Sequence, residues 1–342
     1  MARWVSNTSY SRTRPVWIFS MVLPLLFSTA GRAEKIRTAI PSASIHYLSL
    51  YVAEEKGFFR EEELENEIVS IGGPTGIAAL LSGAVDYSGA GGSGMRAVIS
   101  GGAPLKVIMF QTERVTWYLV TGPNVSKISD LKGKTVGVNA LRDTTDTLLT
   151  RYFEGHGLAA GDFNRVALGT SPSTVIAALK SGVAEAAMLD PASIVRAERE
   201  GIRVLAFLGD MFPYPFQGFA VTEKKISEIP GQIKRWLRAM IRSLMFIRDD
   251  IEKTTDITIK RLKFGSIGRA LVSDGIRRYI KSLPEGVPGL PSPGALRSVI
   301  EYDVRVPLKI KEEIPVERLM NLKFVEEVRK ELESKKSSER TR

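Results

Sequence analysis

The sequence predicts an α/β protein made of two similar blocks, each a mostly parallel sheet flanked by helices. Three observations predict it. Short β-branched runs alternate with helical stretches at the spacing of strand–helix–strand units. The alternation runs twice, over about 34–120 and 121–215. The length, 342 residues, exceeds what one hydrophobic core ordinarily supports. An apolar fraction of 44% and a charged fraction of 25% argue against general disorder.

In the first block Ile36–Ile40 reads as a strand and Leu48–Arg60 as a helix ending in the acidic run Glu61–Glu67. Glu67–Ile71 is a second strand, followed by the turn Gly72-Gly73-Pro74 and a helix through Leu81. Val85–Ser88 leads into the glycine cluster 89–94, and Leu105–Phe110 and Val115–Val120 complete the block. In the second block Thr135–Asn139, Phe163–Leu168, Val183–Leu189 and Val204–Leu208 are strands, and Thr144–His156, Thr174–Leu179 and Ala192–Glu200 are helices. After Phe216–Val221 the chain reads as helical, interrupted by the proline-rich connector Leu283–Pro293, with a frayed polar tail over Glu331–Arg342. The helix from Ile229 to about Ile251 sets Ile233, Trp236, Leu237, Met240, Ile241, Leu244 and Ile247 on one stripe, the pattern of a core-facing helix. Lys234, Arg235, Arg238, Arg242 and Arg248 fall on its other faces, readable as a solvated face or as a membrane-binding one.

Residues 1–33 have the layout of a secretory signal peptide: Arg3, Arg12, Arg14 and Arg32 with no acid, an apolar run Val16–Phe27, then small residues up to Ala33. The apolar run is short of the roughly 20 residues that a spanning helix needs, so an uncleaved anchor is the lesser reading. Cleavage is expected near Ala33, with Ala30 as the alternative, and places the protein in the periplasm. Loss of the four arginines lowers the formal charge from +10 to +6, which favours anionic partners without identifying one. With no cysteine there are no disulfides, thiolate metal sites or thiol nucleophiles. Two histidines are too few for a histidine-rich metal cluster. Neither a metal nor a cofactor is expected, and no cationic block interleaved with aromatics points to nucleic acid.

Gly89-Ala90-Gly91-Gly92-Ser93-Gly94 fits G-x-G-x-x-G, with Glu113 near the place of a ribose-binding acid, but it follows the third strand of its block rather than the first. The same glycines let backbone N–H groups approach an anion at a helix N-terminus, or let helix and sheet pack closely. Gly91-Gly92-Ser93-Gly94-Met95 misses G-x-S-x-G at its last position. His156 reads as a helix C-terminal cap. His46, in the loop after the first strand, is read either as a donor to a ligand or as a helix-start residue. Adjacent acids such as Asp249-Asp250 and Glu312-Glu313 point to different helix faces and do not form a catalytic pair.

AIPSASIHYLSLYVAEEKGFF (39–59) and VSIGGPTGIAALLSGAVDYS (69–88), in an exported chain, resemble periplasmic substrate-binding proteins of ABC transporters. The group they are most similar to contains the sulfonate, taurine and nitrate binders and the binders of thiamine-pyrimidine precursors. ISDLKGKTVGVN (128–139) and ALKSGVAEAAMLDPAS (178–193) extend the resemblance into the second block, so that it covers about 36 to 250. The resemblance implies a two-lobe periplasmic binding protein fold of type II-like form. Residues 34–121 and 216–342 would build one lobe and 122–215 the other, with crossovers at Val115–Gly122 and Phe216–Thr222. The ligand would lie in the cleft between the lobes, which close on it by hinge motion.

Loops at the carboxyl ends of parallel strands are where ligands bind in open α/β sheets. They nominate Ser42, Ser44, His46, Gly72, Gly73, Thr75, Gly92, Ser93, Thr112, Glu113, Asn139, Thr144, Thr145 and Asp190 as ligand-binding residues. Hydroxyls and helix amides suit a small oxyanion, whereas Glu113 and Asp190 favour a ligand bearing N–H donors. Trp117, Tyr118, Phe212, Tyr214 and Phe216 offer either a stack for a flat ligand or ordinary hinge packing. The expected function is capture of a small organic or oxyanionic solute for an ABC permease of the inner membrane, by a monomer, without bond chemistry. The alternatives are a biosynthetic enzyme on the same fold and a solute sensor docking to a membrane receptor.

Overall fold

The computed structural model describes residues 33–141, 144–211, 213–264 and 268–340, together with Met1 and Trp4. Most of the expected signal peptide, and Phe212, lie outside the described residues. Ala33–Arg342 forms one compact unit, and two five-stranded sheets organise it. In chain order the strands are β1 (Glu34–Ile40), β2 (Leu64–Ser70), β3 (Tyr87–Ser88), β4 (Leu105–Phe110), β5 (Tyr118–Thr121), β6 (Thr135–Val138), β7 (Asn164–Ala167), β8 (Ala186–Leu189), β9 (Arg203–Phe207) and β10 (Gly218–Thr222). The first sheet has the order β2-β1-β3-β10-β4 and the second β7-β6-β8-β5-β9.

The two sheets share one pattern. Three strands run parallel (β2, β1 and β3; β7, β6 and β8), and a fourth pairs antiparallel to both of its neighbours (β10; β5). The sheets are therefore mixed rather than mostly parallel. The reason is topological: β5 and β10 are the strands reached on crossing from one sheet to the other, and each enters its new sheet in the opposite direction. The crossings are residues 111–117 and 208–217, so half of the expected crossover Val115–Gly122 lies inside β5 and most of Phe216–Thr222 inside β10. The crossing segments pair with each other: Thr112 Oγ1 accepts from the Phe216 amide at 3.0 Å, and the Tyr214 amide donates to the Glu113 carbonyl at 3.0 Å.

Two element boundaries move. The helix expected over Leu48–Arg60 stops at Glu55 and restarts at Phe58–Glu61, because Gly57 turns the chain at φ +75°. The second strand begins at Leu64, not Glu67, since Leu64 is buried and the preceding Glu63 takes φ +55° to enter it. Helix Pro230–Asp249 buries its whole apolar stripe, and Trp236 stacks on Tyr87 with ring centroids 4.4 Å apart. Its basic faces meet the acidic run and the start of β1: Arg235 pairs with Glu34 at 2.6 Å, Arg238 with Glu62 at 2.5 Å and Arg242 with Glu61 at 2.6 Å. The polar tail expected over Glu331–Arg342 is helical through Arg340, continuing a helix that begins at Lys323 and is anchored by buried Val325, Val328 and Leu332. No described helix is long and apolar enough to cross a membrane.

Candidate functional site

A cleft of about 350 Å³ is lined from both sheets by the loops that follow their parallel strands. From the first sheet's side come the loop after β1, with Ser42, Ser44 and His46, and the N-termini of helices Gly73–Leu81 and Gly91–Gly101. From the second sheet's side come Asn139 after β6, Thr144 and Thr145 at the start of helix Thr144–Glu154, Thr170 after β7, and Asp190 after β8. The crossing segments close the back with Trp117, Phe216 and Gln217.

His46 is held by its backbone. Buried Gln111 donates to the His46 carbonyl at 2.9 Å and is itself bonded by Ser49 from the following helix. The imidazole stands edge-on to Trp117 and Phe216, with centroids at 5.0 and 5.4 Å. Burial pushes its pKa down to about 4, with the Asp190 carboxylate pulling the other way, so the ring is neutral at physiological pH. Asp190 caps helix Pro191–Arg199, accepting from the amides of Ala192 at 2.9 Å and Ser193 at 3.1 Å and from the Ser193 hydroxyl. Thr145 Oγ1 accepts from the Asn139 amide at 3.1 Å and fixes the turn between β6 and its helix.

Four buried side-chain atoms among the lining residues have no hydrogen-bond partner: Ser44 Oγ, His46 Nε2, Trp117 Nε1 and Gln217 Oε1. They combine an indole donor, an amide acceptor, a hydroxyl and an imidazole nitrogen. Leaving such groups unpaired costs about 1–3 kcal/mol each. Their gathering around one cleft flanked by aromatic faces is an arrangement that a ligand with both donors and acceptors would satisfy.

The structure brings Ser42, Ser44, His46, Gly73, Gly92, Ser93, Asn139, Thr144, Thr145 and Asp190 into the lining. It leaves four nominated residues out. Gly72 precedes helix Gly73–Leu81, and Thr75 is exposed on it. Thr112 is bonded to Phe216 within the crossing segments. Glu113 accepts from the Ser292 amide at 2.9 Å and binds its hydroxyl at 2.5 Å, which ties a crossing segment to helix Pro293–Ile300. Of the aromatics, Trp117 and Phe216 line the cleft, whereas Tyr118 packs on Phe207 and Tyr214 lies near Tyr302. His156 Nδ1 lies 2.7 Å from the Tyr152 carbonyl, the geometry of a helix-end cap.

The glycine cluster serves close packing. A Cβ at Gly91 would meet the Gly218 carbonyl oxygen of β10 at 2.7 Å, and one at Gly92 would meet Asp303 Oδ2 at 2.6 Å. Asp303 and Arg96 are lining residues that the sequence did not nominate. Arg96 lies one helical turn from Ser93, a spacing that was available as a signal. Asp303 comes from a helix more than two hundred residues away, and local sequence gives no sign of it.

The family model described as NMT1/THI5 like matches residues 44–253. The riboflavin-binding protein RibY of Chloroflexus aurantiacus is 22% identical over 238 residues, a match that spans 66% of this chain and 65% of RibY. Among solved structures, the periplasmic aliphatic sulphonate binding protein SsuA of Escherichia coli superposes with a TM-score of 0.66 at 16% identity, over 84% of this chain and 92% of that one. The desulfurization enzyme DszB superposes with a TM-score of 0.64 at 15% identity, over 86% and 98%. The fold is the periplasmic binding protein fold.

Proposed function

The chain belongs to the NMT1/THI5-like family, and from that premise we propose that it is an extracytoplasmic solute-binding protein that captures a planar heteroaromatic solute and delivers it to an ABC importer. The observation that carries the ligand class is the cleft around His46: a neutral imidazole between Trp117 and Phe216, with unpartnered donors and acceptors gathered beside it. A flat ring bearing both nitrogen and carbonyl groups would fill the space and pair those atoms. The riboflavin-binding relative supports this class, and the sulfonate-binding structural neighbours support the carrier role.

In this reading the first sheet and the C-terminal helices form one lobe and the second sheet the other; the expected division is 34–121 with 216–342 against 122–215, except that β5 (Tyr118–Thr121) goes with the second sheet. The first crossing is drawn at 111–117, because β5 pairs in the second sheet. The lobes close on the solute by bending at the paired crossings, and no bond is made or broken. The site consists of the ten nominated residues that line the cleft, together with Trp117, Phe216 and Gln217. The protein acts as a monomer in the periplasm after its signal peptide is removed, and its partners are the solute and an inner-membrane permease. An enzyme on the same fold is the second reading, favoured by the likeness to DszB.

Thermal unfolding of the purified protein against riboflavin, pyrimidines, aromatic carboxylates, sulfonates, nitrate and bicarbonate tests the proposal. A solute at about 100 times its Kd adds about 2.7 kcal/mol. At about 2 cal/mol/K of unfolding entropy per residue, a chain of this length gains about 4 °C in Tm. The proposal expects the rise with a heteroaromatic solute that is recovered unchanged. A rise confined to sulfonates or nitrate overturns the ligand class, and a consumed solute moves the protein to the enzyme reading.

A further inference from the structure

The chain has three glutamines, Gln111, Gln217 and Gln232, and the fold buries all of them. Two are fully used. The Gln111 amide donates to the His46 carbonyl at 2.9 Å and accepts from the Ser49 hydroxyl. The Gln232 amide donates to Glu34 at 2.6 Å and accepts from the Tyr87 hydroxyl at 3.1 Å. Gln217 differs. It is 6% exposed and lines the cleft, yet neither end of its amide meets a partner among the described residues, and its Oε1 is shut off from solvent as well. A buried amide left idle destabilises the fold, so it calls for a partner from outside the chain. The backbone is special at the same place. Gln217 takes φ +52°, in the left-handed region that favours glycine. An extended segment sends successive side chains to opposite faces; this turn breaks the alternation where the second crossing reaches the cleft, and Phe216 and Gln217 both line it. The turn is pinned to the first crossing, since the Gln111 amide N–H of the main chain donates to the Gln217 carbonyl at 3.4 Å.

We propose that Gln217 reads the edge of the solute: its side-chain amide pairs, acceptor to donor and donor to acceptor, with a ring N–H that stands beside a ring carbonyl. This deepens the reading of the cleft as a site for a planar heteroaromatic solute, and it rests on that reading. A primary amide carries a carbonyl acceptor and an NH2 donor on one carbon. Its complement is a lactam or imide edge, in which N–H and C=O are neighbours. The last torsion of a glutamine side chain is broad, so the amide can turn toward an entering ring. Trp117 Nε1, a donor only and also without a partner, is left for a further carbonyl of the same ring, and Phe216, the preceding residue, supplies an apolar face. A sulfonate or nitrate has no N–H to give and leaves the Gln217 acceptor unpaired.

The test is calorimetric titration with riboflavin and uracil, each compared with its form methylated at the ring N–H, 3-methylriboflavin and 1,3-dimethyluracil. It is run on the wild type, Gln217→Met and Gln217→Gly. The wild type is expected to bind a parent ring at least tenfold tighter than the methylated ring. In both variants, checked for native circular dichroism, the two forms are expected to bind alike, at the level of the methylated ring in the wild type. Methionine keeps the length of the side chain without its amide, and glycine suits a φ of +52°, so the test survives if one variant folds poorly. A wild type that binds a parent ring but loses nothing on its methylation, or folded variants that keep the preference, overturns the inference and leaves the carrier reading standing. A wild type that binds neither parent ring overturns the heteroaromatic reading and this inference with it.

Discussion

Burial of His46 between Trp117 and Phe216 holds its folded-state pKa at about 4 against an ordinary value of 6.5. Between those values the unfolded chain binds a proton that the folded chain refuses. This group's contribution is therefore fully present above pH 6.5, is lost as pH falls toward 4, and is flat below that. The gap corresponds to on the order of 3 kcal/mol. Urea unfolding at intervals from pH 4 to 7 should show a steeper loss of stability toward low pH in the wild type than in His46→Asn. Equal slopes would mean that the imidazole is protonated in place. His46 was legible in the sequence as a loop residue at the end of the first strand. Its neutrality was not, because the desolvation comes from Trp117 and Phe216 on the two crossing segments, which only the fold brings together.

The elements that build the cleft depend on close backbone approach more than on side-chain chemistry. Helix Gly91–Gly101 can present its N-terminus because Gly91 lets it lie against the Gly218 carbonyl of β10. Gly91→Ala puts a methyl group where 2.7 Å is available, and repacking of this kind costs about 1–3 kcal/mol. Guanidinium unfolding should report a loss in that range, and a neutral result would mean that the helix and β10 separate freely. The G-x-G-x-x-G pattern drew attention to these residues and to the choice between anion binding and tight packing. The answer lay in β10 and Asp303, both far downstream. The basic face of helix Pro230–Asp249 shows the same limit. Arg235, Arg238 and Arg242 are bound to the Glu61–Glu63 run and to Glu34, partners that lie close in space and about 170 to 200 residues away in sequence. Most of these pairs are part-exposed and contribute little individually, but they remove the need for a membrane to explain the charge.

At the scale of the whole molecule the sequence disclosed two α/β blocks because hydrophobic periodicity is local. It did not disclose that each sheet borrows its antiparallel strand at a crossing, since pairing between β5 and β8 or between β10 and β4 leaves no local trace. A second contact spans the division between the sheets. Helix Arg269–Ile280 from the C-terminal region packs on helix Pro191–Arg199, with Gly275 against Ala192 and Arg278 paired to Glu198 at 3.2 Å. In the proposed closure, motion about the crossings slides this contact and releases Asp303 from Thr144. The most direct measurement of the central claim is calorimetric titration of the purified protein with riboflavin and with uracil, repeated on Trp117→Ala, with mass analysis of the recovered solute. The account predicts saturable one-to-one binding of a heteroaromatic solute, at least tenfold weaker in the variant, and a solute recovered unchanged. Saturation by methanesulfonate or nitrate in place of any heteroaromatic ring, or recovery of an altered solute, would contradict it.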